Sequence, residues 1–310
     1  MALLSEYALT PEVFSEATHQ DEELAYLRFS LLRDVLFSEG LVRDLRGGEW
    51  RAVFADRNRV WHRRGKELLK KLISQGRLRA YPQMSERIPS TDTNWFDEAL
   101  ASHDQENLDG LITTEAIAEL HRGNPIVASI ARLPQATWWG QRRNSIRLDR
   151  KLENYMQNLS LLLSCSNHLM FIDPYLDPSL PNYQDFEAIL RAAVDLRPTV
   201  RIEIHRTITE GVGRGRDILT EAEWKARFRD SLSEDLQQKL NAEVFLWDEF
   251  HDRYLLSNIA GITLPHGFDT SRRQEDITTW TRLDRGVRDD VMREFDPGCQ
   301  RHKCQGKFQI

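Results

Sequence analysis

Residues 244–269 read VFLWDEFHDRYLLSNIAGITLPHGFD. Val244 to Trp247 is an apolar run with the length of a buried strand, and the polar Asp248-Glu249 after it predicts a turn. Next comes His251-Asp252-Arg253-Tyr254-Leu255-Leu256. On an extended segment alternate side chains share a face, so His251 and Arg253 point one way and Asp252 the other. An imidazole and a guanidinium are thus expected side by side at the mouth of a sheet.

The residues before this stretch supply the rest of that sheet. From Ser145, the residues Ile146, Leu148, Leu152, Tyr155, Met156, Leu159, Leu162 and Leu163 trace a long amphipathic helix. His168 to Ile172 predicts a buried strand ended by Asp173-Pro174, because proline cannot donate to a ladder. A helix over Tyr183 to Leu196, an alternating strand from Val200 to His205 and a helix over Glu221 to Leu240 then lead to Val244. Crossovers of this length favour parallel strands, with the ligand crevice beyond their carboxyl ends. Asp173 with Tyr175, His205 with Arg206, and His251 with Arg253 are therefore expected at one mouth.

The first half alternates helices and short strands, which predicts an α/β domain. A helix is expected from Pro11 to about Gly40 and another from Val60 to Ser74. Short strands are expected at Leu78–Tyr81 and Leu108–Ile112, with a polar excursion between them from Pro82 to Asn107. His103-Asp104 reads as part of an exposed loop. Pro125, Pro134 and Gly140 place the boundary near Gly140, giving domains 1–140 and 141–310.

With 310 residues, 40% hydrophobic and 29% charged, the chain has the composition of an ordinary globular protein and is long enough for two cores. No apolar run approaches the roughly 18 residues that span a bilayer, and the N-terminus lacks a basic segment before Glu6, so a cytoplasmic location is expected. Three cysteines, Cys165, Cys299 and Cys304, argue against a disulfide framework. Cys299-x-x-His302-x-Cys304 lacks a fourth zinc ligand and reads as free thiols. A formal charge of −6 leaves phosphate binding to local basic patches. One of these, Arg142-Arg143, follows Trp138-Trp139, a pair that is expected to stack on bases.

Three segments in order, Ile172-Asp173-Pro174-Tyr175, His251 to Leu255 and Gly267-Phe268-Asp269, resemble a divergent branch of the phospholipase D-like superfamily. His251-x-Arg253 stands for its His-x-Lys, Asn258 occupies its Asp position, and Gly267 to Ser271 falls where its small-residue turn lies. The resemblance covers roughly residues 145–295. It implies a phospholipase D-like α/β/α domain with a mostly parallel central sheet, and a metal-independent phosphodiesterase, most plausibly a nuclease. His251 would attack phosphorus, Arg253 would clamp phosphate, and Asp269 or a carboxylate near it would orient the ring. Arg for Lys keeps a fixed charge but changes reach, so binding should survive the exchange better than turnover. Asp173, Tyr175, Arg206 and Asn258 complete the expected ligand set.

The second histidine that such a site needs is expected either from His205 or from His251 of a second copy across a two-fold axis. Neither cofactor nor metal is implied. A two-metal site from Asp173, Asp177 and Glu203 ranks lower, because Glu203 and His205 share a face. The loop Gly211 to Arg216 lacks the Lys-Ser/Thr ending of a phosphate loop. The resemblance also implies a bacterial defence setting with nucleic acid, DNA or RNA, and a regulatory protein as partners. The alternative reading is a catalytically inactive module that binds nucleic-acid or lipid phosphate.

Overall fold

The computed structural model describes residues 3–211, 217–273 and 275–310. These divide into two compact units, Leu4–Arg143 and Asn144–Ile310, with Leu3 belonging to the second. The division lies close to Gly140, where the prolines and glycine placed it.

The first unit runs β1 (Ser5–Leu9), α1 (Glu22–Ser38), β2 (Gly40–Asp44), α2 (Leu45–Ala52), α3 (Arg63–Ser74), β3 (Leu78–Ala80), α4 (Asp92–Gln105), β4 (Gly110–Thr113), α5 (Glu115–Leu120), β5 (Val127–Ser129) and α6 (Thr137–Gly140). Its five strands form one sheet in the order β3-β2-β1-β4-β5, with every pairing parallel. Strands buried on both faces read as near-continuous apolar runs, as Tyr7-Ala8-Leu9 and Leu111-Ile112 do. Glu6 on β1 accepts from Arg43 of β2 at 2.6 Å and from Arg79 of β3 at 2.8 Å, a largely buried ion triple that ties three neighbouring strands.

Two expectations for this unit are corrected. The helix expected from Pro11 begins at Glu22, because Asp21 caps it by accepting from the Glu23 and Leu24 N–H groups, while Pro11–Phe14 forms only a short 3-10 turn. The polar excursion from Pro82 to Asn107 contains α4, capped by Thr91, whose inward residues Trp95, Phe96 and Ala99 are masked in the sequence by interleaved Asp and Glu. His103 lies on that helix and accepts the Leu108 N–H at 2.9 Å.

The second unit runs β6 (Ser145–Asp149), α7 (Leu152–Cys165), β7 (His168–Ile172), α8 (Phe186–Leu196), β8 (Arg201–Thr207), α9 (Glu221–Ser231), α10 (Glu234–Lys239), β9 (Ala242–Trp247), β10 (Tyr254–Ser257), β11 (Gly261–Thr263), β12 (Ile277–Arg282), α11 (Arg285–Glu294) and β13 (Cys304–Gln309). Eight strands form a sheet in the order β13-β9-β8-β7-β10-β11-β12-β6. The α/β class therefore holds for both units. The mostly parallel sheet expected here does not: β7-β8-β9 are parallel, as the helical crossovers require, but the other five pairings are antiparallel. The long helix expected from Ile146 is also divided. Ile146 and Leu148 belong to β6, and α7 starts at Leu152.

Candidate phosphate-binding mouth

β10 runs antiparallel to β7, with Tyr254 opposite Ile172. The start of β10 thus meets the carboxyl end of β7, and Arg253 is delivered to Asp173. The three sequence segments of the resemblance converge on that aspartate, which is fully buried. Asp173 Oδ1 accepts the Tyr175 N–H at 3.0 Å and faces Arg253 Nε at 3.4 Å. Its Oδ2 accepts the Tyr183 hydroxyl at 3.0 Å and the Phe268 N–H at 3.2 Å. Burial pushes the carboxyl up to about 6, although Tyr175, Arg253, Tyr183 and Phe268 all favour its charged form. Gly267 has φ +63°, and a Cβ there would overlap Asp173 Oδ2, so the turn needs glycine for both conformation and space.

Arg253 also donates from Nη1 to the Pro265 carbonyl at 2.8 Å, and its guanidinium lies 4.9 Å from the Tyr175 ring centre. The cation is thereby fixed at the mouth by an acid, a carbonyl and a ring. Beside it, Asp269 pairs with Arg150 at 2.7 Å. Burial raises Asp269 above the usual carboxylate range, opposed by Arg150 and His266. Lys151 Nζ donates to the Ser271 carbonyl at 2.8 Å, and Arg272 and Arg273 beyond it are exposed. Tyr183, His266, Arg272 and Arg273 were not singled out by motif, and Arg150 stood out only as one cation of the basic run that starts at Arg142. Their signal was adjacency, since each lies within ten residues of Asp173 or four of Asp269, or starts the segment that pairs with it.

Other expected site residues lie elsewhere. His205 is fully buried and inside β8, which continues to Thr207, so it does not reach the mouth. Its ring stacks on Phe245 at 4.7 Å, its Nδ1 accepts from Trp247 Nε1 at 3.1 Å, and its Nε2 lies 3.2 Å from Glu203. Burial lowers its pKa, with Glu203 opposing, and no surface remains for a leaving group. Arg206 is likewise buried, stacked 3.1 Å over Trp224, with its donors on the Leu176, Thr207 and Thr209 carbonyls. Asn258 follows the far end of β10 and accepts the Asn167 N–H at 3.0 Å, remote from the end that carries Arg253.

Asp269 is committed to Arg150 rather than to His251. His251 lies on the loop before β10 with 68% of its side chain exposed, and Glu249 is 3.5 Å away. In the first unit, Trp139 is buried with the Arg142 guanidinium 3.9 Å over its ring, and Trp138 packs on Tyr7. Trp139 belongs to a core, and Trp138 is half-buried against it. Arg143 is exposed.

Glu203 faces His168, His205 and Arg201, and hydrogen bonds from the two histidines outweigh its burial and hold its carboxyl below the ordinary range. It is thus parted from Asp173, and among the described residues no cluster of three or more His, Cys, Asp or Glu is placed to hold a metal. Most of the Gly211 to Arg216 loop lies outside the described residues. No helix among the described residues is long and apolar enough to cross a membrane.

In the first unit the strand order reverses between β1 and β4, where an α/β sheet opens a crevice. There the Thr10 and Thr113 hydroxyls meet at 3.0 Å, and Asp92 accepts from Thr10 Oγ1 and the Glu12 N–H. These groups satisfy one another.

No protein-family model matches the chain, and no curated protein does. Among solved structures it is similar to TrmBL2, an archaeal chromatin protein described as showing a novel mode of DNA binding. The likeness is 14% identity over 76% of this chain and 81% of that one, with a TM-score of 0.31, and carries no argument about fold or function.

Proposed function

We infer that the second unit binds the phosphodiester backbone of a nucleic acid at the Asp173 mouth and does not cleave it. The observation that carries this reading is the clamp on Arg253, whose guanidinium is held by Asp173 and the Pro265 carbonyl at the end of β7. A preset cation loses little freedom when it takes a phosphate oxygen. Arg272 and Arg273, exposed beyond Lys151, extend positive charge along the rim, which suits a polymer of phosphates better than a single headgroup. Hydrolysis would need a nucleophile held in line and an acid opposite it. His251 stands on an exposed loop with Glu249 beside it, and His205 is sealed in the core.

A second reading, metal-independent cleavage, is favoured by a different observation. His251 and His266 are both exposed, and they bracket Arg253, the first two residues before it and the second next to the proline that accepts its hydrogen bond. Incubating the protein in EDTA with labelled single- and double-stranded DNA and RNA separates the two. Retention of an intact strand, weakened by Arg253→Ala and unchanged by His251→Ala, is the expected result. Strand cleavage lost in His251→Ala and His266→Ala would establish the second reading, and retention of anionic vesicles instead of strands would replace nucleic acid by lipid.

A further inference from the structure

A sheet edge is a row of unpaired backbone donors and acceptors, and folded proteins shield such rows. Among the described residues, three of the four sheet edges are shielded. β3 and β5 are only three residues long. β13 carries a register shift between Cys304 and Gly306 and the cationic Lys307. The fourth, β6, pairs with β12 over five residues, Ser145 to Asp149, without a bulge, proline or glycine, and its two exposed charges, Arg147 and Asp149, are of opposite sign.

The ladder on the inner side fixes which groups face out. Arg282 N–H donates to the Asn144 carbonyl at 2.7 Å and Arg150 N–H to the Asp276 carbonyl at 2.9 Å. In an antiparallel pair the bonded residues alternate, so Ile146 and Leu148 bond to β12 while the N–H and C=O of Arg147 and Asp149 turn outward. Among the described residues, only the Asp149 carbonyl has a local partner, the Lys151 N–H at 2.8 Å, and its second lone pair remains. Beside this edge lies an open groove of about 310 Å³, walled on the other side by Asn154, Gln157 and Asn158 of α7.

We propose that β6 pairs with β6 of a second copy of this chain, antiparallel and centred on Leu148. The charge pattern selects this occupant. With Leu148 opposite Leu148, the exposed Arg147 of each copy faces the exposed Asp149 of the other, giving two cross-strand ion pairs of opposite sign. The register also places the outward groups of Arg147 against those of Asp149, closing four backbone hydrogen bonds. Amide side chains both donate and accept, so Asn154 and Gln157 meet their own copies without conflict.

The pairing does not rest on the proposed function, and it bears on it. A two-fold axis through Leu148 reverses β6, so the ends of the two sheets that carry Asp173 point in opposite directions. This dimer keeps the two His251 residues apart and does not assemble one site from two copies.

The test uses the full chain in sedimentation-velocity runs across a concentration series, with circular dichroism to confirm folding. Wild type is expected to dimerise. Arg147→Asp and Asp149→Arg each place like charges opposite one another and are expected to weaken dimerisation about tenfold or more. Mixing those two variants in equal amounts brings opposite charges back into register and is expected to restore dimers, as is the double swap R147D/D149R. A monomeric wild type at the highest concentration overturns the proposal. Single variants that dimerise as well as wild type, or a mixture that stays monomeric, overturn it equally.

Discussion

Asp173 is the residue through which the mouth can be tested. Its carboxyl is raised to about 6 in the fold against about 3.8 in an unfolded chain. The folded state therefore binds more protons between those values, and the contribution to stability is fully present below about pH 4 and lost as pH rises through about 6. The window is worth up to about 3 kcal/mol. Denaturant titrations at pH 4 and pH 7 should show most of it, and Asp173→Asn should flatten the difference. Gly267→Ala combines a left-handed φ with overlap onto Asp173 and is expected to cost about 2–4 kcal/mol, read as a lower denaturation midpoint with unchanged slope. Arg253→Ala removes a charged donor and is expected to weaken strand binding by about 1.5–3 kcal/mol in a fluorescence-anisotropy titration.

At the scale of elements, the fate of each expected residue follows from where its strand ends. β7 was legible to its last residue, because Leu169 to Ile172 is apolar and Pro174 stops the ladder, so Asp173 lies directly after the strand as expected. β8 extends past His205 through Arg206 and Thr207, polar residues that a hydropathy pattern cannot assign to a strand. That two-residue difference moves the imidazole from rim to core. His205→Ala is accordingly expected to lower stability by about 2–4 kcal/mol while leaving strand affinity unchanged, a split that a catalytic acid would not give.

Trp138 and Trp139 show the same limit. A tryptophan pair beside arginines fits a base-stacking surface or a core edge equally well in sequence, and only packing on Tyr7 decides for the core. The antiparallel half of the second sheet was not legible either. β10, β11 and β12 are short strands joined by loops, and a crossover argument addresses only strands separated by helices.

Across the whole molecule, charge is arranged locally while the total stays negative. Nucleic-acid binding through the rim should therefore be strongly salt dependent, with a log–log slope of about −0.7 per phosphate contacted on a single strand. Replacing both Arg272 and Arg273 by alanine is expected to make that slope shallower by about 1.4, measured by anisotropy between low and high salt. Each unit has its own buried cluster, so residues 144–310 carry every group named at the mouth.

The Asp173 knot also has a consequence in time. Its Oδ2 joins Tyr183, ten residues away, to Phe268, 95 residues away. A contact of the second kind forms only after the intervening β8, β9, β10 and β11 have found their places, whereas the first can form within the local segment that precedes α8. The floor of the mouth is then expected to close late in the folding of the second unit. During refolding, secondary structure should recover before strand binding does, and the interval between the two signals measures how long the rim waits for its floor.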